Sequence, residues 1–287
     1  MKNQRDRKQP LFIQVLLRLF QNKTATVSLA VLLIIIFLCI CAPWIAPYSP
    51  KAIDPRSAFA PPSLQHLCGC DSLGRDLFSR LLYGGQFSLA LGFSCAAIGL
   101  IMGSVLGTLA GYFGGWVDNL ILRIFDVIHS IPGILLSICI SAVLGSGFFN
   151  TVLACCIGGI DQTTRMLRAN ILSERRQEYL EAAESINCRK SRIMFKHLLP
   201  NVISPCIVQL TMGVGGSMMM ASSLSFIGLG VQPPTPEWGA MLSAGKGYIS
   251  SYPHMILFPG LIIAVVVLCI NLFGDGLRDA MDPKMKR

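Results

Sequence analysis

The sequence predicts an all-α membrane protein with six transmembrane helices and both termini cytoplasmic. Three observations carry this reading. Of the 287 residues, 53% are hydrophobic and only 14% are charged, against about a quarter charged in soluble domains. Five long runs contain no Asp, Glu, Lys or Arg, at 24–50, 81–117, 127–160, 197–236 and 247–274. The Lys and Arg residues fall so unevenly between these runs that they define a sidedness. Together these features argue against a soluble domain, and they assign the net charge of +9 to loops rather than to a nucleic-acid interface.

A helix needs about 20 mostly apolar residues to cross a bilayer. The first span is expected at 24–43. It follows Lys2, Arg5, Arg7, Lys8, Arg18 and Lys23, as the core of a signal peptide would. Its apolar stretch is too long for a signal h-region, so it is read as an uncleaved span. Residues 1–23 then form a cytoplasmic arm, and 24–287 the six-span domain. The second span, at 86–110, carries Gly92, Gly99, Gly103 and Gly107. A small residue about every fourth position lets helix backbones approach closely in lipid.

The third run is too short for two spans and a turn. Spans at 121–144 and 148–168 therefore recruit Arg123, Asp126, Asp161 and Arg165, with the turn at Gly145-Ser146-Gly147. Such charges must sit at a membrane edge or face protein. The fifth span is expected at 201–227 and the sixth at 255–273. Pro259 falls in the first turns of the sixth, where a missing N–H matters least. With the N-terminus inside, only Lys51, Arg56, Arg75, Arg80 and Lys246 of the 24 basic residues lie outside. The outer loop is 46–85, and the loop at 170–199 is cytoplasmic.

That cytoplasmic loop is the most charged part of the chain. Glu178 to Ile186 favours helix, with Ala182 and Ala183 at its centre. Asn187 tolerates the left-handed conformation that ends a helix, and a second helical stretch is expected from Arg189 to His197. Two short helices at a tight turn make a rigid protrusion. Ala182 and Ala183 lack bulk, so another protein could approach the backbone. Glu178, Glu181 and Glu184 make a drifting acidic stripe. By composition alone, a solvated helix explains the stretch equally well.

The stretch Glu181-Ala-Ala, Asn187, Ile193 and Leu199-Pro200 resembles the "EAA" loop of binding-protein-dependent ABC importer permeases, with Asn187 where that family usually has Gly. The resemblance runs over most of the chain. His66-Leu-Cys-Gly-Cys-Asp71-Ser-Leu-Gly-Arg75-Asp76 through Gly84 is similar to the outer-loop signature of the peptide/nickel branch, which typically reads Leu-Gly-Thr-Asp at 68–71. Gly111-Tyr-Phe-Gly-Gly-Trp-Val-Asp118, Ser130-Ile-Pro132, Ser225-Phe-Ile-Gly-Leu-Gly230, Glu237-Trp238-Gly239 and Gly274-Asp-Gly-Leu-Arg-Asp279 also match. Together they resemble the second of the two permeases of dipeptide, oligopeptide and nickel importers.

This resemblance implies a type I ABC importer permease fold in a bacterial or archaeal cytoplasmic membrane. It implies a homologous second permease, two ATP-binding subunits and an extracellular solute-binding protein as partners. Glu178, Glu181, Ala182, Ala183 and Asn187 would form the ATPase contact, so Ala183→Arg is expected to uncouple transport. Arg75, Asp76, Arg80, Glu237 and Trp238 would lie on the side where the binding protein docks, on loops 46–85 and 228–254. The chain is not an enzyme on this reading, and it binds no cofactor or metal. ATP and Mg belong to the partner subunits, in keeping with the failed P-loop at Gly245-Lys246-Gly247, with Ala240 where the first Gly is needed. The solute is expected to be a di- or oligopeptide, with nickel or a metal chelate as the alternative.

Other signals are weaker. Cys68 and Cys70 read as small loop residues, although a strained disulfide fits the spacing. Arg75, Asp76 and Arg80, beside Leu77, Phe78, Leu81 and Leu82, suit either a docking helix or a pre-span helix on lipid head groups. Asp126 and His129, one turn apart, are expected to satisfy each other or Arg123 rather than hold a ligand. Met218-Met-Met220 reads as gap-filling. A self-contained secondary transporter would need internal repeats and broken helices, and no internal repeat is visible. A membrane-embedded enzyme would need a catalytic cluster, and the four histidines are scattered.

Overall fold

The computed structural model describes residues 17–281 apart from Arg176, and the side chains of Glu181, Ala182, Glu184 and Ser204 lie outside the described set. So do the first sixteen residues of the expected N-terminal arm and residues 282–287. The described chain is helical. Its main elements are α1 Lys23–Ile40, α2 Leu77–Phe113, α3 Gly115–His129, α4 Gly133–Leu144, α5 Phe148–Glu174, α6 Glu178–Ser185, α7 Ser204–Phe226, α8 Trp238–Gly245 and α9 His254–Met281. The chain divides into two compact units, one up to Phe87 and from Pro234 onward, the other Ser88–Pro233.

In the first unit, α1 starts where Asn22 accepts from the Thr24 and Ala25 backbone N–H groups. This cap satisfies donors that no helical carbonyl can reach. α1 packs on α9 where Gly276 faces Ala25: a Cβ on Gly276 would stand 2.3 Å from that of Ala25. α8 packs on the start of α9 in the same way, with Gly245 against Met255 and Ile256. Gly85 leaves room for Cys39 Sγ and the Trp238 ring.

In the second unit, the glycines of α2 form a seam against α5. Gly99 abuts Gly159, Gly103 abuts Thr163, Gly107 meets Thr164 and Leu167, and Gly111 meets Ile171. The expected fourfold spacing is therefore the packing device, and it extends one step further, to Gly111. Leu91, Cys95, Val152, Cys156, Ala221 and Val231 fill an apolar cluster alongside.

α1, α2, the Pro205–Phe226 stretch of α7, and α9 are long and apolar enough to cross a membrane. α2 is longer than the expected span, because the amphipathic segment at Leu77–Tyr83 is continuous with it rather than a separate helix on a lipid surface. α5 has the length of a span, but Asp161, Gln162, Arg165 and Arg168 lower its apolarity. The span expected at 121–144 is not one continuous helix: α3 and α4 are bent by 87° to each other across Ser130–Pro132. Pro132 supplies no N–H and disfavours helical geometry at the residue before it, and its own backbone is extended (φ −52°, ψ 130°).

Candidate functional site

The loop before α2 turns its charges inward. Asp71 accepts from the Leu73 and Arg75 N–H groups and, at 2.6 Å, from Arg75 Nε. Arg80 Nη1 donates to the Pro50 carbonyl at 2.8 Å, and its Nε lies 3.8 Å from Asp71. Asp76 caps α2 through Ser79 N–H and pairs with His66 Nδ1 at 2.9 Å. Gly74 takes φ +72° where its Cα passes so near the Asp54 carbonyl that a Cβ would stand 1.8 Å from that oxygen. Phe59 stacks on Tyr252 at 4.4 Å. Glu237 caps α8 by accepting from Gly239 and Ala240 N–H, and Trp238 Nε1 donates to the Leu81 carbonyl at 2.9 Å.

Arg75, Asp76, Arg80, Glu237 and Trp238 are all buried. They organise the loop from within. The reason is chemical complementarity, since each charge finds a partner or a backbone group at short range. Cys68 and Cys70 are free thiols. Burial pushes each up to about 11, with the Asp76 carboxylate adding to the rise.

The stretch 175–203 folds as an elbow. α6 ends as the sequence predicts: Asn187 takes φ +54°, and Cys188 N–H reaches back to the Ala183 carbonyl at 3.1 Å. This six-to-one bond across a left-handed residue is a Schellman ending. A short helical turn at Lys190–Arg192, wide π turns over Ile193–Leu198 and a turn at Leu199–Val202 lead to α7. Leu180, Ile193, Met194, Leu198 and Val202 join Tyr112, Leu167 and Ile171 in one buried cluster.

Ala183 packs against that cluster. It is half-buried there, so an Arg at this position would disturb the elbow itself as well as any contact on its surface. Ala182 and Glu181 have side chains outside the described set. Glu178 and Asn187 are exposed, and beside them Ile186 stands 79% exposed.

Two further residues were not foreseen. Tyr179 OH donates to Glu174 at 2.9 Å and accepts from Asn201 Nδ2 at 3.0 Å. Asn201 also donates to the His197 carbonyl. Tyr179 thus ties α6 to the end of α5 and to the turn before α7. Burial raises its hydroxyl above the ordinary value, with Glu174 adding and Asn201 opposing. The signal in the sequence was a polar aromatic inside an acidic run, followed by Asn after Pro200.

α3 is fastened to α5 by ion pairs. Arg168 grips Asp118 with both Nε and Nη2, the latter at 2.6 Å. Arg165 bridges Asp161 at 2.8 Å and Asp126 at 3.0 Å, and His129 Nδ1 lies 3.1 Å from Asp161. Asp126 and His129 are therefore satisfied within the chain, but by Arg165 and Asp161 rather than by Arg123. Among the described residues no group of His, Cys, Asp and Glu is arranged to hold a metal.

Comparison with known proteins places this architecture. The family described as "Binding-protein-dependent transport system inner membrane component" matches residues 103–287, and "N-terminal TM domain of oligopeptide transport permease C" matches 11–62. The dipeptide transport system permease protein DppC of Alkalihalophilus pseudofirmus is 44% identical over 269 residues, 94% of this chain and 88% of that protein. The glutathione transport system permease protein GsiD is 48% identical over 267 residues, 93% of this chain and 88% of that protein, both in Escherichia coli and in Shigella boydii. A chain of the MetNI methionine ABC transporter, solved in inward-facing conformations, shares the fold at a TM-score of 0.57 and 19% identity, covering 71% of this chain and 97% of that one. A family match over more than half the chain, joined to relatives this similar over nearly its full length, establishes that the chain belongs to the binding-protein-dependent inner-membrane components, as a non-catalytic permease subunit of the peptide/nickel family of ABC importers.

Proposed function

We propose that this chain is the membrane-spanning subunit of an ATP-driven importer of di- and oligopeptides. It forms the solute path with a second, homologous permease. Two ATPase subunits bind ATP and Mg and drive it through the elbow, and an extracellular binding protein delivers solute to loops 46–85 and 228–254. The arrangement has six spans over residues 24–287, both termini in the cytoplasm, and a bacterial cytoplasmic membrane around it. Relatives named for dipeptide and glutathione transport support a peptide-like solute over a metal chelate.

One observation carries the coupling role. The elbow is fixed on one face by Leu180 and Tyr179, while its other face leaves Glu178, Asn187 and the apolar Ile186 uncovered. A large aliphatic side chain beside a helix terminus in water suits a groove on a partner protein. Movement of that groove would be transmitted through the buried cluster to α5 and α7.

The test is reconstitution of the complex in proteoliposomes. Wild type should take up Ala-Ala in an ATP-dependent way. Ile186→Asp should leave the permease in the membrane but separate ATP hydrolysis from uptake. Normal uptake by that variant would sink the coupling assignment.

A further inference from the structure

The second unit contains an open cleft of about 390 Å³ between α2, α5 and α7, within the range of small-molecule sites. It is lined at mid-length of these helices, by Gly99 of α2, Gly159 and Gln162 of α5, and Gln209, Gly216 and Ser217 of α7. Among the described residues, no carboxylate, ammonium or guanidinium group lines it. The nearest charges in sequence, Asp161 and Arg165, are engaged with His129 and Asp126 of α3. Gln162 is exposed. On a membrane-crossing helix an exposed amide cannot face hydrocarbon without losing its hydrogen bonds, and polar surface there is tolerated where it lines a water-filled cavity.

We propose that this cleft is the chain's share of the solute path, and that it passes peptides by neutral amide and hydroxyl contacts without selecting on their charge. The proposal rests on the importer reading above. Gln162 and Gln209 can each donate to a peptide carbonyl and accept from a peptide N–H. An ionised side chain or terminus meets no opposite charge to trap it and no like charge to repel it. A passage that serves varied sequences needs both properties, because a site that binds too tightly at one charge releases slowly. Gly216 leaves open space: a Cβ there would have nothing within 4 Å.

The assembled importer in proteoliposomes tests this. ATP-driven uptake of Ala-Ala-Ala, Ala-Lys-Ala and Ala-Glu-Ala is measured for wild type and for Gln162→Glu and Gln209→Lys. The lysyl-to-glutamyl uptake ratio, relative to wild type, cancels any preference of the binding protein. It should rise about five- to tenfold in Gln162→Glu and fall by a similar factor in Gln209→Lys, the scale of one unit charge a few ångström away in a wet path. Gly216→Trp should abolish uptake of all three while the permease stays assembled. Uptake with the same ratio in both charge variants overturns the cleft assignment and leaves the importer reading standing. Loss of both charge variants from the membrane, with Gly216→Ala retained, overturns it too, since the cleft would then face lipid or packed helix. Absence of ATP-driven uptake in wild type overturns the importer reading and this one with it.

Discussion

The loop before α2 and the elbow after α5 hold irregular, charged backbone by opposite means. The loop buries Asp71, Arg75, Asp76 and Arg80 and pairs them with one another, with His66 and with the Pro50 carbonyl. The elbow buries Leu180, Ile193, Met194 and Leu198 and turns Glu178, Asn187 and Ile186 outward. The first arrangement is self-contained: its charges are buried and paired within the loop. The second is half-finished, with one face committed and the other uncovered. Damage to the loop should therefore appear as lost stability, and damage to the elbow's outer face as lost function in a stable protein.

Asp71→Ala attacks the loop where it is most exposed to damage. It leaves two buried guanidinium groups without their carboxylate, a change worth about 3–5 kcal/mol. A large fall in the melting temperature of the detergent-solubilised protein is expected, and an unchanged melt would break the comparison. Leu180→Ala attacks the committed face of the elbow and should cost about 2–4 kcal/mol, read as the same melt plus faster proteolysis within 175–190.

Asn187 sharpens the picture further. Asn187→Val forces a β-branched residue to a left-handed φ and should cost about 1–2 kcal/mol, whereas Asn187→Gly should be neutral or slightly stabilising. Ile186→Ser should change the melt by no more than about 0.5 kcal/mol while uptake falls to background. Cys68 and Cys70 should show the smallest effect of all. With both thiols near 11, their alkylation at pH 8, followed by peptide mass spectrometry, should run roughly a hundredfold slower than that of an ordinary exposed thiol. The rate should climb about tenfold per pH unit below that value.

Much of the fold was legible where one residue type has one physical use. The fourfold glycine spacing in α2 announced a close helix contact, and Asn187 announced a left-handed stop. What stayed hidden depended on distant partners. Arg75 and Arg80 looked like surface groups because nothing in a linear chain says that Asp71 and the Pro50 carbonyl will enclose them. Asp126 was expected to be satisfied by His129 or Arg123, both about one turn away, yet Arg165, 39 residues away, takes it. Ala183 looked available because it is small, and smallness serves inward packing equally well. The bend at Ser130–Pro132 was signposted by the proline, but hydropathy registers apolarity and not direction.

The glycine seam between α2 and α5 has a mechanical consequence. Where interdigitated side chains meet, one rod can shift along another only by unlocking rotamers. Gly99 meets Gly159 backbone to backbone, while the side chains of Thr163, Leu167 and Ile171 seat in the notches at Gly103, Gly107 and Gly111. Lengthwise shear would drive those side chains out of their notches, so the seam indexes α2 against α5 and the two rods travel together.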